Sequence, residues 1–524
     1  MKIKRIACFL LAFLLLCGSL VACDSGDDVV PGDDKYDGTL ASLDFGGATL
    51  TISVSVNDPN QVTFKNAGLY TKGPDNQATS ENVQKKVLTR NKKVADDLNV
   101  KVEYQPTDWT YSEVLPHLEQ LVGGAAEDAP DIYNNDIYAL VRAMMSGYLW
   151  NVTDPGYDAK GNEVTSYFDF DHEAWYQEYM AGATFSKDKQ YLLVGDYNID
   201  IIRFAWVFFV NIDLWDATFG TLSFDDGWGY NTYESACEYI ADTHDWFFDE
   251  VILLAGMAHN DAGGSSNGKT DVDDAQIGLC INNLSPRIFS YGSGISFFEW
   301  TKNDKACAPG EGTPAFVTDT TDLVEVSKKY TELYNATGVL PLPDSVIEST
   351  TKFMDGRIVM SMAELGEMES EQMRSTSFKR GILPFPRYSR DLDKITTVVH
   401  DQAEVTAILN NAKSFNMASA FMQYVNEESV EILDMYYEEV LKFKYNDSKG
   451  ARAMIDLAHD TVDNPFESVI QPYICGTANA TQLYEYFYAD ARNNKISFNS
   501  SYEKARGALQ TQLDKSLAEF EKLQ

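Results

Sequence analysis

An α/β fold built from more than one unit is predicted by three features of the sequence. Strand-like and helix-like patterns alternate three times in succession near the start. The chain, at 524 residues, is long enough for two to four domains. Apolar residues make up 44% of it and aromatics 12%, which is ample for packed cores and rules out disorder as the dominant state.

The first strand is read from Leu50 to Val56, where side chains alternate with period two until Asn57, Asp58 and Pro59 stop the pattern. Ser80 then caps a helical stretch in which Val83, Val87, Val94 and Leu98 share a face. Val100 to Tyr104 alternates again, and Tyr111 to Val122 carries Val114, Leu115, Leu118, Leu121 and Val122 at helical spacing. A third pair runs from Ile132 and Tyr133, ending in Asn134, Asn135 and Asp136, into a face of Ile137, Leu140, Val141, Met144, Met145 and Tyr148. Three such pairs imply a largely parallel sheet covered by helices, with ligands expected beyond the carboxyl ends of its strands. Farther on, Tyr191 to Gly195 and Phe204 to Val210 read as buried strands around a polar bend at 196–200. The windows 412–424, 429–437, 451–458 and 502–523 are helical by pattern, so the last quarter is expected to be mostly helix.

The N-terminus carries an address. Lys2, Lys4 and Arg5 precede an apolar run from Ile6 to Leu16, the order of a secretory signal. Leu20, Val21, Ala22 and Cys23 resemble a bacterial lipobox, which makes 1–22 a signal peptide and Cys23 the site of lipidation, including palmitate. Residues 23–43, rich in Asp and Gly, read as an acidic flexible tether. With 42 basic against 79 acidic residues the net charge is −37, a field that repels nucleic acid. Of seven cysteines, Cys237, Cys280, Cys307 and Cys475 lie beyond the signal and Cys23, at spacings that fit neither a zinc site nor a disulfide scaffold. One or two disulfides and buried free thiols are both compatible with that spacing.

Several stretches imitate catalytic motifs. Gly263 to Thr270 spells a phosphate-binding loop, but Asp271, Asp273 and Asp274 follow at once and would repel phosphate. Gly264 to Gly268 also fits the spelling of a serine-hydrolase elbow, and an exposed loop is the simpler reading of both. His172 and Glu173 lack the second His of a zinc hydrolase, and the Asp-rich stretches do not complete a calcium loop. No catalytic residue, metal or cofactor is expected.

The order of segments resembles the bacterial extracellular solute-binding proteins of family 1, the maltose-binding type that serve ABC importers. The likeness begins with the lipobox and tether and passes through Pro130 to Tyr133, Ser146 to Leu149 and Trp206 to Asn211. Phe353 to Met360 is similar to the family's Phe-x-x-Gly-basic stretch, Gly381 to Pro386 to its Gly-x-x-Pro-x-Pro turn, and Ala420 to Tyr424 to its late helix. One departure is Val210, where an aromatic commonly precedes the Asn. The resemblance implies two α/β lobes, each a sheet flanked by helices, joined by a hinge. Provisional boundaries are 44–203 plus 403–460 for the first lobe and 204–402 plus 461–524 for the second.

The function so implied is a lipid-anchored receptor, monomeric and not an enzyme, on the outer face of the bacterial cytoplasmic membrane. It would deliver a saccharide, an oligosaccharide by preference, to ABC permease subunits. A secreted glycan hydrolase and a non-transport polysaccharide-binding lipoprotein are the alternatives. Sugars offer apolar faces to aromatics and hydroxyl rims to polar side chains. The expected ligand-binding residues are therefore Asn134, Asn135, Asp136 and Tyr138 at the sheet opening, and Arg203 and Trp206 at the crossing. Glu364 is added after the Phe-Gly-Arg strand, with Asp401, Gln402 and Glu404 at the return crossing.

Overall fold

The computed structural model describes residues 38–523 apart from 57–67, 71–80, 110, 125, 127, 158–160, 222–228, 264–269, 343–347, 393–394, 442–448, 464–465, 476–482 and 494–496. The signal, Cys23, most of the tether and the loop at 264–269 lie outside the described residues.

Two sheets carry the architecture. The first contains β1 (Ala48–Ser55), β2 (Val100–Thr107), β3 (Ile132–Asp136) and, far along the chain, β9 (Glu404–Ile408), in the order β9-β3-β1-β2. Strands β1, β2 and β3 are parallel, and β9 returns antiparallel beside β3, with Glu404 opposite Asp136 and Ile408 opposite Ile132. Helices α1 (Glu81–Asp97) and α2 (Tyr111–Leu118) are the crossovers, and α3 (Ile137–Met145) leaves the end of β3. Val83, Val87 and Val94 on α1 and Ile137, Leu140, Val141 and Met144 on α3 are buried, as their spacing requires. Pro116 lies inside α2, and a π-helical turn at Glu119–Gly123 follows it.

The second sheet holds β4 (Trp206–Asn211), β5 (Ile277–Ile281), β6 (Val339–Pro341), β7 (Ile358–Glu364) and β8 (Arg380–Leu383), ordered β8-β4-β7-β5-β6. Its central strands β4, β5 and β7 are buried along their whole length, as strands covered on both faces must be. Helices α4 (Tyr233–Thr243) and α5 (Ser285–Gly292) belong to this part of the chain, and α6 (Phe415–Glu427) follows β9. The tail is α7 (Lys449–Asp460), α8 (Tyr484–Asn493) and α9 (Phe498–Phe520).

Three chain segments run side by side between the sheets. Trp206 N–H donates to Val398 O, His400 N–H to Phe204 O, and Thr397 N–H to Thr461 O. Multiple crossings of this kind leave hinge bending as the easy relative motion.

Two details differ from the sequence reading. Only one strand, β4, forms where two are expected around 196–200. Tyr191 to Gly195 is buried but crosses β9 at a single bridge, Leu193 with Thr406, and Asp200–Arg203 is one helical turn. The tail also packs across the expected boundaries. Helix α7, grouped by sequence with the first lobe, packs on α4, where Gly450 N–H donates to Glu234 Oε1 at 3.0 Å. Helix α9, grouped with the second, brings Phe520 against Phe185 and Tyr191. Cys237, Cys280, Cys307 and Cys475 are free thiols, and burial pushes Cys475 up to about 12.

Candidate functional site

A cleft of about 260 Å³ opens where the first sheet, the return crossing and the second part of the chain meet. Tyr111 at the start of α2 and Tyr138 in the first turn of α3 form one wall. Arg287 on α5, Pro472 and Tyr484 on α8 form the other, and His400, Asp401 and Gln402 on the return crossing make the floor. The placement is set by local structure: α3 starts where β3 ends, and its first backbone N–H groups bond to the return segment, Ile137 to Ala403 O and Tyr138 to Asp401 O.

Polar groups on the floor form a chain of charge. Arg287 Nη2 is 2.7 Å from Asp401 Oδ2 and donates to Ser468 O at 2.9 Å. Asp401 Oδ1 is 3.4 Å from His400 Nε2, and His400 Nδ1 is 2.7 Å from Glu364 Oε1. Burial works to raise the Asp401 carboxyl, but the Arg287 and His400 charges outweigh it and hold Asp401 below its ordinary value. Burial likewise opposes the charge on Arg287, and Asp401 more than restores it. The walls are aromatic: Tyr111, 44% exposed, meets Tyr138 edge-on at 5.8 Å, and Arg142 covers the Tyr138 ring at 4.3 Å. Among the described residues no group of three or more His, Cys, Asp or Glu is placed to hold a metal ion.

Of the residues expected from sequence, the cleft brings together Tyr138, Asp401 and Gln402. Glu364 reaches it through His400. The others serve the scaffold. Asn134 donates to Val405 O and Thr406 Oγ1, tying β3 to β9, and Asn135 Oδ1 accepts from Asp136 N–H. Asp136 caps α3 by accepting from Ala139 N–H at 2.8 Å. All three are buried because β9 covers the strand end that a purely parallel sheet would leave open. Glu404, opposite Asp136 on β9, is buried as well. Arg203 grips Asp200 at 2.6 Å and forks onto Glu369 at 2.8 and 3.1 Å. Trp206 is fully buried, its ring edge-on to His400 at 5.9 Å.

Sequence reasoning missed Tyr111, Arg287, His400, Pro472 and Tyr484. His400 adjoins Asp401, so the return crossing signalled it. Arg287 follows Ser285 and Pro286, a helix start, but nothing local says that this helix faces the crossing.

The arrangement is two-lobed: two sheets, several crossings and a polar, aromatic-walled cleft between them. Neither a protein-family model nor a curated protein matches the chain. Solved structures do. The maltose-binding periplasmic protein MalE of Listeria monocytogenes, in complex with maltose, is similar with a TM-score of 0.51 at 14% identity, over 89% of this chain and 98% of that one. A cyclo/maltodextrin-binding protein complexed with maltotetraose is similar with a TM-score of 0.50 at 10% identity, over 90% of this chain and 96% of the other. The chain therefore has the two-lobed α/β fold of the maltose-binding type of solute-binding protein.

Proposed function

We propose that this protein is a lipid-anchored extracellular receptor that binds a saccharide in the cleft and delivers it to an ABC permease. The observation that carries the reading is the cleft itself. Tyr111, Tyr138 and Tyr484 supply ring surfaces for the apolar faces of a sugar, while Arg287, Asp401 and Gln402 supply donors and acceptors for its hydroxyls. Its position between two sheets joined by three crossings lets a ligand that touches both sides favour a closed form. The similar structures are described as binding proteins carrying maltose and maltotetraose, which supports the same use of this fold. Anchoring rests on the lipobox at Leu20 to Cys23, and permease delivery on the resemblance. Among the described residues no helix is long and apolar enough to cross a membrane.

Thermal-shift screening against neutral mono- and oligosaccharides tests binding. A ligand specific for the folded state adds about 2.7 kcal/mol of stability at a hundredfold excess over its dissociation constant. The expected result is a dose-dependent rise with the ligand recovered intact. No rise with any saccharide defeats the reading, and conversion of the ligand favours the hydrolase instead. Anchoring is tested by Cys23→Ala, which is expected to move the protein from membrane to medium.

A further inference from the structure

Arg287 is a cation facing a binding cleft, with its charge already answered from within the protein. Its side chain is 8% exposed and that of Asp401 is 14% exposed, so the 2.7 Å pair is largely shielded from solvent. The guanidinium is set by its own surroundings: Nη2 also donates to Ser468 O, and the Tyr291 and Tyr484 rings lie 5.8 and 6.0 Å from its centre. Nε has no hydrogen-bond partner among the described residues, so the pair is single-pronged rather than the two-pronged fork that Arg makes with a freely placed carboxylate.

Asp401 is fixed just as firmly. Its carbonyl accepts from Tyr138 N–H at 3.1 Å, and its second carboxylate oxygen faces His400, which itself abuts Glu364. Asp401 thus stands where the carboxylate of an acidic ligand would stand, and it cannot step aside without leaving a shielded anion with only His400 beside it. That displacement is costly, because a buried ion that loses its partner keeps the full desolvation penalty. A neutral hydroxyl faces no such obstacle, since it can donate to the carboxylate and accept from the guanidinium while the pair stays in place. Glu364 behind His400 and the chain's net charge of −37 add to the disfavour toward anions.

We infer that Asp401 is a specificity-determining residue: by occupying Arg287 it reserves the cleft for uncharged saccharides and turns away uronic acids. The inference rests on the saccharide reading of the cleft and adds the class of saccharide.

Isothermal titration calorimetry with D-glucuronate and D-galacturonate tests it, on the wild type, Asp401→Asn and the double variant Asp401→Asn with Arg287→Gln. The wild type is expected to show no saturable uronate binding. Asp401→Asn should gain affinity by about 10- to 100-fold, the scale of one hydrogen bond to a charged group, and the double variant should lose that gain. Near-UV circular dichroism checks that Asp401→Asn is folded, with Asp401→Ser as its substitute. The inference is overturned if Asp401→Asn binds uronates no better than the wild type, or if the double variant keeps the gain. Wild-type protein binding glucuronate as tightly as glucose overturns it without any variant. Failure of the saccharide reading is a separate result, the absence of any shift with neutral sugars, whereas the uronate gain reports only on the availability of Arg287.

Discussion

Two arginines stand at the crossings between the sheets, and they have opposite uses. Arg203, in the helical turn before β4, is 1% exposed, forks onto Glu369 and pairs with Asp200, while the Tyr436 hydroxyl donates to the same Glu369 oxygen at 2.6 Å. Arg287, on α5, makes one ion pair and lines a cleft. Burial opposes the charge on both, and in both the carboxylates beside them prevail. What separates them is access: Arg203 sits between the sealed Asp200 and the 11%-exposed Glu369 and holds the crossing together, whereas Arg287 lines the cleft and can exchange its hydrogen bonds with a ligand.

The sharpest way to break this contrast is Arg203→Met. It leaves the buried Asp200 and the largely buried Glu369 without their cation, and such a loss costs about 3–5 kcal/mol, measurable as a lower urea midpoint. Saccharide affinity of the protein that remains folded should not change. If stability survives, the network is not the structural tie described here.

A second test reads the enclosed acids by pH. Burial first, then the Glu364 charge, pushes Glu367 up to about 8, and burial pushes Glu467 up to about 7. Burial opposes the charge on His459, but hydrogen bonds to Asp196 and Asp460 overcome it and lift it to about 9. In each case the folded state holds its proton to higher pH than the unfolded chain. Stability is therefore greatest below the unfolded values and declines as pH rises through the folded ones, by roughly 1.4 kcal/mol per pH unit for each group while it lies between the two. Urea midpoints should fall from about pH 5 to about pH 9, and Glu367→Gln should flatten the part of the slope below 8. A midpoint rising over that range would show that these groups do not bind protons as their surroundings dictate.

On the open side, Arg287→Gln should lower saccharide affinity by about tenfold or more, as loss of a hydrogen bond to a charged group does. Tyr484→Ala should follow with a loss of about 1 kcal/mol, the value of an aromatic contact. Calorimetry with the saccharide found by screening checks both. If Arg287→Gln binds normally, the two arginines are alike after all. The smallest effect belongs to Asp136→Ala, which removes the cap of α3 and should cost about 1 kcal/mol of stability with affinity unchanged. A loss of affinity there would return Asp136 to the binding site.

Local pattern was enough for the first sheet's three strand and helix pairs, because period-two and helical spacing record which face each element buries. The return crossing was implied by the resemblance, and the structure puts Asp401 and Gln402 on the floor of the cleft. Legibility ended where distant segments meet. Asn134, Asn135 and Asp136 have the chemistry of a sugar site and the position of one in a parallel sheet. Only the pairing of β9 with β3, across more than 260 residues of chain, decides that they are covered. On sequence grounds Arg203 was expected in the site and Arg287 was not.

The alternating α/β plan and the acidic charge can be read from the amino-acid order alone, because nearest neighbours and composition carry them. Tertiary packing alone sets which arginine is sealed and which faces the cleft, which tyrosines form its walls, and that Tyr484 from the tail joins Tyr138 from the helix after β3. The reason is physical: exposure of a polar side chain depends on what packs over it, and in a chain that crosses between two sheets three times the covering element comes from far away.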